Sequence, residues 1–236
     1  MIARYAGGEG GARSAARAGS VVVVVDAFRA STTIAVLVSM GAKVMPVASV
    51  EEAASAGTDF RIGERGSVKV KGFDFGNSPT EILGSEIPPD STVAFSTTNG
   101  TRIIDAASGA RTILVGAFVN AGVLAEYLSD GPYDDAEISV VGCGWQGRHA
   151  SEDEAAAGAI LCRLRSRGAE LDGRACRVVE RHLTRPAGAL RNNSAARRLK
   201  RLGYERDLEF CLVGDTVPVV PRLVGEAFVG GVEGSG

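Results

Sequence analysis

The run "VVVVVDAFRASTT" sets Asp26 directly after five valines, with Arg29, Ser31, Thr32 and Thr33 close behind it. A carboxylate at the end of a buried strand is costly unless it has a task. Backbone N–H groups at a helix start, hydroxyls and an arginine together make an anion site. The carboxylate beside them repels an anion unless a cation stands between. The pattern therefore points to metal-assisted chemistry on an anionic group, or to an aspartate nucleophile. The plainer reading is an aspartate that caps its own loop.

The run "AFSTTNGTR" (94–102) repeats the layout of strand, hydroxyl-rich turn and helix. Thr97, Thr98 and Thr101 offer hydroxyls, Asn99-Gly100 offers a tight turn with free N–H groups, and Arg102 follows. Asn-Gly alone is often only a turn. Two such loops on one sheet favour a phosphate cradle. In "VVGCGWQGRHASEDEAAAG" (140–158), Gly142, Gly144 and Gly147 have the G-x-G-x-x-G spacing of a dinucleotide fingerprint. Here, however, the helix is expected from Ser151, after the glycines. Glu152, Asp153 and Glu154 fill its first turn, where a pyrophosphate needs positive potential. Acids in a first turn also complement the helix dipole. As ligands, Glu152 or Asp153 would join Asp26. His149 and His182 are the only histidines, so a histidine-rich metal site is excluded and oxygen-bound Mg²⁺ suits the donors. No G-x-S-x-G elbow and no Walker A motif occur.

Residues 64–91 form a long excursion rich in Gly, Pro, Asn and charge, with a short hairpin expected inside it. It carries Glu64, Arg65, Asp74, Asn77 and Glu81. Loops of this length in a compact domain are usually functional or disordered. Folding of the loop itself is their plain role, and closure over a small anion is the functional one.

The elements that must position these residues alternate. Strands are expected at Ser20–Asp26, Lys43–Val47, Arg61–Gly63, Thr92–Phe95, Thr112–Val115, Glu137–Val141 and Val217–Val220. Helices are expected at Ala30–Met40, after a Ser49/Glu52 capping box, and at Gly100–Ala107, Asn120–Leu128 and Ser151–Arg167, the last with a Ser151/Glu154 box. Three more follow at Cys176–His182, Ser194–Leu202 and Tyr204–Cys211. Residues 1–19 read as a flexible arm or loop. The alternation predicts a three-layer α/β/α domain over 1–236 with a mixed or parallel sheet, as one body or two αβ lobes.

Composition limits the partners. Twenty-six Lys and Arg against 28 Asp and Glu leave a formal charge of -2, so no basic field calls nucleic acid. The 45% hydrophobic content excludes a disordered chain. Four dispersed cysteines with no C-x-x-C pair read as reduced thiols of a cytoplasmic protein. No apolar run reaches the ~20 residues of a membrane span. A homo-oligomer is compatible with all of this.

The segments "DAFRASTT" (26–33), "GERG" (63–66), "GFDFGNSPTE" (72–81), "TTNGT" (97–101), "GAFVNA" (116–121) and "GCGWQGRHASEDEAAAG" (142–158) together resemble the 2-phosphosulfolactate phosphatase family of coenzyme M biosynthesis. Weaker matches are Ser194 with Leu199, and residues 207–221. Ala27-Phe28 stand where the family tends to have an aliphatic pair, and Ser67 where it has a second glycine.

The resemblance implies a Mg²⁺-dependent acid phosphatase that converts (R)-2-phospho-3-sulfolactate to 3-sulfolactate and phosphate. Asp26, Arg29, Thr98, Asn99 and Asp153 would be catalytic. Asp26 with Glu152 or Asp153 would hold the metal. Ser31, Thr32, Thr33, Asn77, Thr97, Gly100 and Thr101 would bind phosphate, and Arg29, Arg65, Arg102 and Arg148 would converge on the substrate's acid groups, with Arg65 and Arg148 on the sulfonate or carboxylate. Direct attack by water and an Asp26 phosphoenzyme both stay open, although Phe28 stands where a D-x-D pair needs its second acid. Two other readings remain: a dinucleotide-dependent oxidoreductase built on Gly142–Gly147, and a non-catalytic anion-binding protein.

Overall fold

The protein is described here from a computed structural model, over residues 1–133, 135–185 and 187–230. In chain order the elements are β1 (Ile2–Gly7), α1 (Gly8–Arg17), β2 (Val21–Val25), α2 (Ala30–Ser39), β3 (Lys43–Pro46) and α3 (Val50–Ser55). Next come β4 (Phe60–Arg65), β5 (Val68–Lys69), α4 (Pro79–Leu83), β6 (Thr92–Ser96), α5 (Gly100–Ala106), β7 (Thr112–Val115) and α6 (Ala121–Asp130). The last third holds β8 (Glu137–Gly142), α7 (Ser151–Ser166), β9 (Glu170–Leu171), α8 (Gly173–Thr184), α9 (Ser194–Arg201), α10 (Glu205–Cys211), β10 (Pro221–Val224) and β11 (Ala227–Gly230).

The five valines of β2 show how the layers arise. Side chains alternate across a strand. Val21, Val23 and Val25 pack with Leu124 of α6, Ile160 of α7 and Val178 of α8. Val22 and Val24 pack with Ala12 of α1, Ile34 of α2 and Ile103 of α5. Both faces of the sheet are therefore covered, which is the α/β/α arrangement expected. Each buried valine contributes on the order of 1.5–3 kcal/mol.

Among the described residues the sheet runs β5-β4-β6-β3-β11-β10-β7-β2-β8-β1-β9. Strands β4, β6 and β3 are mutually parallel, as are β7, β2, β8, β1 and β9. The β10–β11 hairpin joins the two groups antiparallel to each flank. The sheet is thus mixed, and two parallel groups within one sheet stand where lobes were expected. Helix α2 is buried from Ala30 to Val38 and touches β3 of one group, β7 of the other and both hairpin strands. That explains why it lacks a polar face.

Three expectations are corrected. The stretch 1–19 is no arm along most of its length: β1 pairs with β8, with Tyr5 opposite Val140, and α1 packs on α5. Glycine lowers helix propensity, so the four-glycine stretch around α1 hid a helix held by its buried Ala12 and Ala15. Val217–Val220 is not a strand. The chain enters the sheet at Pro221 instead, the first strand position, where a missing N–H is tolerated. Ser151 does not cap α7, because Ala150 is the N-cap and Glu154 turns away to Arg181 and His149. The other elements lie where expected to within a few residues, including the Ser49 cap, which accepts from the Glu52 N–H at 3.0 Å. Among the described residues no helix is long and apolar enough to cross a membrane.

Candidate active site

Four chain segments that follow or end strands meet in one cleft, at the carboxyl edge where ligands bind in such sheets. Asp26 follows β2, Glu64 is near the end of β4, Asn99 follows β6, and Gly144 and Trp145 follow β8. Glu152 and Asp153 from the first turn of α7, Asn77 from before α4 and Arg198 from α9 complete it. Its cavity is about 20 Å³, room for a water or an ion.

The Asp26 main chain is fixed by Ser31. Its N–H donates to Ser31 Oγ at 2.8 Å, and its carbonyl accepts from the Ser31 N–H at 2.9 Å. One carboxylate oxygen accepts weakly from the Ala30 N–H at 3.4 Å. The other lies 3.6 Å from where a side chain on Gly100 would place its Cβ, and that Cβ would also lie 3.3 Å from Ala30. A glycine at 100 therefore lets the Asn99 turn stand against Asp26. Burial pushes the Asp26 carboxyl up to about 7, helped by the charges of Glu64 and Glu152 and opposed by the Ala30 N–H and Arg29.

Asp153 is 3% exposed and spans two strand ends. Its oxygens accept from the Ala27 N–H at 2.9 Å and the Gly144 N–H at 2.8 Å. Burial raises its pKa well above the usual carboxylate range, and Asp26 and Glu152 add to that. Glu152 is raised chiefly by burial and accepts from Asn193 Nδ2 at 2.8 Å. Glu64 accepts from the Thr98 N–H at 2.8 Å and the Ser67 N–H at 2.5 Å.

Asp26, Glu64, Glu152 and Asp153 thus line one small cleft. Hard oxygen donors with excess negative charge suit Mg²⁺ by chemistry. Among the described residues, no group of three or more His, Cys, Asp or Glu side chains is drawn tightly enough to hold an ion as it stands. The fit is therefore one of donor type and charge, with the carboxylates still to close on the ion.

The expected residues divide. Asp26, Arg29, Asn77, Asn99, Glu152 and Asp153 all line the cleft. Among the described residues, buried Thr97 Oγ1, Thr98 Oγ1, Asn77 Oδ1 and Thr33 Oγ1 have no hydrogen-bond partner, although neither Thr97 nor Thr98 lines the cleft. Ser31, Thr32 and Thr101 instead serve the backbone, donating to the carbonyls of Val24, Ala27 and Thr97. They brace the loops and do not present free donors to a phosphate. Arg65 is held on Ser96, at 2.9 Å from its Oγ. Arg102 is corrected outright: helix phase sends it outward, 63% exposed, onto Glu9 of α1. Arg148 lies in a neighbouring cavity, and no convergence of Arg29, Arg65, Arg102 and Arg148 occurs.

Arg29 is 2% exposed and anchored on three sides. It pairs with Asp207 at 2.5 Å, donates to the Ser67 carbonyl at 3.0 Å and stacks on Tyr204 at 4.1 Å. Asp207 also accepts from Ser78 Oγ at 2.8 Å and Thr80 Oγ1 at 2.5 Å, which docks the 64–91 excursion onto α10.

Arg198 is the cleft residue that sequence reasoning missed. Its guanidinium stacks 3.8 Å over Trp145, and its Nε donates to Ser67 Oγ at 3.0 Å. Burial lowers its pKa while Glu152, Glu64 and Asp26 hold it charged. In sequence it sits in the basic run "ARRLKR" (196–201), which reads as a solvated face.

A second cavity of about 180 Å³ adjoins the cleft through Gly144 and Asp153. Tyr5 lines it, and burial together with Asp153 and Glu154 raises the phenol's pKa, so it stays protonated.

The fold and cleft describe an α/β/α protein with carboxylates gathered at its strand ends. The 2-phosphosulpholactate phosphatase family matches residues 11–226. A protein of Synechococcus sp. (strain JA-2-3B'a(2-13)) called probable 2-phosphosulfolactate phosphatase is 36% identical over 215 residues, covering 86% of this chain and 88% of its own. One of the same name from Thermotoga petrophila is 36% identical over 214 residues, covering 88% and 90%. Another, from Carboxydothermus hydrogenoformans, is 37% identical over 210 residues, covering 85% of each. The class is that of phosphoric monoester hydrolases. Within it, the chain belongs to the 2-phosphosulpholactate phosphatase family.

Proposed function

We propose that the protein is a Mg²⁺-dependent phosphatase that hydrolyses 2-phospho-3-sulfolactate, or a close phosphorylated hydroxy acid, at the Asp26 cleft. The observation that carries this is the crowding of Asp26, Glu64, Glu152 and Asp153 in a cleft also lined by Asn77, whose buried Oδ1 lacks a partner among the described residues. Such a set repels an anion alone but suits a cation and an anion together.

Mg²⁺, held by Asp26 with Glu152 or Asp153, would neutralise phosphoryl oxygens. The chain's own groups do the rest. Thr97 and Thr98 hydroxyls turn to the phosphoryl oxygens. Asn77 offers its amide. Arg198, which pairs with no carboxylate among the described residues, adds positive charge to the cleft. The P–O ester bond breaks, a water oxygen takes its place, and the sulfolactate oxygen leaves with a proton. Asp26 bears on this step, as a carboxylate facing the phosphorus or as the group that takes the water proton. Arg29 is positioned by its bonds to Asp207 and Ser67 and lines the cleft, where its remaining N–H groups add positive charge.

The dinucleotide reading loses its site. The Gly144 N–H that would meet a pyrophosphate already donates to Asp153. A binding protein for bare anions fits poorly with four carboxylates in one cleft. The test is phosphate release with Mg²⁺ across 2-phosphosulfolactate, 2-phospholactate and phosphoglycolate. Preference for the sulfonated substrate is expected. Release from none of them by folded protein would overturn the proposal.

A further inference from the structure

We propose that the cavity beside Asp153 is a subsite for a strong-acid anion, the sulfonate end of the substrate, with Tyr5 and Arg174 as its specificity-determining residues. This rests on the phosphatase reading and extends it to a place that lies outside the Asp26 cleft.

The cavity, about 180 Å³, is large enough for a sulfonated carbon and shares Gly144 and Asp153 with the cleft. One substrate can therefore reach both. Its walls carry positive charge and donors. Arg148 and Arg174 line it, and neither guanidinium pairs with a carboxylate among the described residues. Arg174 stacks on the Tyr5 ring, 5.1 Å from its centroid, within cation–π range.

Tyr5 supplies the independent observation. It is 6% exposed, yet its hydroxyl makes no hydrogen bond to a described residue. Phenols ordinarily find a partner, and the Tyr5 hydroxyl is open to solvent for one. Tyr5 lines the cavity, and a Cβ on Gly142 would fall 2.8 Å from the hydroxyl and 3.4 Å from Asp153 Cβ. The hydroxyl therefore sits at the passage between the two chambers. Both Asp153 oxygens accept from backbone N–H groups, which offset part of the charge it presents to the cavity, and the two guanidinium groups outweigh the rest. Two guanidinium groups and a phenol match an anion with three acceptor oxygens. The phosphoryl group belongs in the other chamber, where the carboxylates call for a cation.

The experiment has two arms, each with Arg174→Gln and Tyr5→Phe variants whose folding is checked by melting. In turnover, the ratio of kcat/KM for 2-phosphosulfolactate to that for 2-phospholactate should fall about 10–100-fold in Arg174→Gln, the scale of a charge-assisted hydrogen bond, chiefly through KM. Tyr5→Phe should lower it less. In calorimetry, wild type should bind 3-sulfolactate more tightly than lactate, and Arg174→Gln should lose that difference. A ratio and a binding difference equal to wild type in both variants would overturn the subsite. If wild type releases phosphate from neither substrate, the phosphatase reading fails alone, and sulfolactate binding that depends on Arg174 would still support the subsite.

Discussion

Asp207 and Asp26 are both taken from water, yet their surroundings are opposites. Asp207, 1% exposed, is wrapped by Arg29, Ser78 and Thr80, and a guanidinium faces its charge directly. Asp26 has one weak backbone donor at its carboxylate, and the charges of Glu64 and Glu152 beside it are only partly opposed by that of Arg29. The first is a knot that ties the excursion to α10. The second is a charge in want of a counter-ion. Burial alone therefore does not mark the chemistry here; burial without compensation does.

Asp26→Asn should cost at least ~100-fold in kcat, the scale of a principal electrostatic or acid–base group. Its melting temperature without metal should hold or rise, since one crowded charge is gone. Steady-state kinetics beside a melting curve reads both. Near-normal turnover would erase the contrast with Asp207.

Asp207→Ala should do the reverse and strike the fold. It strands the buried Arg29 guanidinium, a loss of about 3–5 kcal/mol for a broken buried pair. Urea unfolding measures it, and a shift below 1 kcal/mol would show that the knot is ornamental.

The pH dependence sharpens the pair further. Without metal, folded Asp26 keeps its proton to about 7, against ~3.9 when unfolded. The folded chain binds more protons between those values. Its contribution to stability is thus full below about pH 4 and is lost as pH rises through about 7. In EDTA, the wild-type melting temperature should fall more steeply from pH 5.5 to 7.5 than that of Asp26→Asn. Added Mg²⁺ should raise it more at pH 7.5 than at 5.5, because ligand carboxylates must shed protons. Parallel pH curves would contradict the assignment.

The smallest effect belongs to Arg102→Ala. An exposed pair with Glu9 is worth ~0–1 kcal/mol, and kcat/KM should change less than about twofold. A large kinetic loss would mean that Arg102 reaches the substrate after all.

The sequence made the local features readable. The valine run fixed a doubly buried strand, and Asp26 at its end announced itself because few acids stand there without purpose. The glycine turn at Asn99-Gly100 was visible for the same reason. What escaped notice was made by distance. Arg29 meets Asp207 across 178 residues. In sequence, Asp207 is an ordinary first-turn acid and Arg198 one cation in a basic run. Arg102 misled in the other direction: it follows a suggestive loop, but its turn of helix faces α1. The Ser31, Thr32 and Thr101 hydroxyls looked like phosphate donors because sequence cannot tell a free hydroxyl from one already given to a carbonyl.

The most direct measurement is phosphate release from 2-phosphosulfolactate by protein stripped with EDTA, before and after Mg²⁺ is restored. The account predicts no release before and full release after. Full release by the stripped protein would contradict the role given to the carboxylate cluster, and none after Mg²⁺ is restored would contradict the reaction itself.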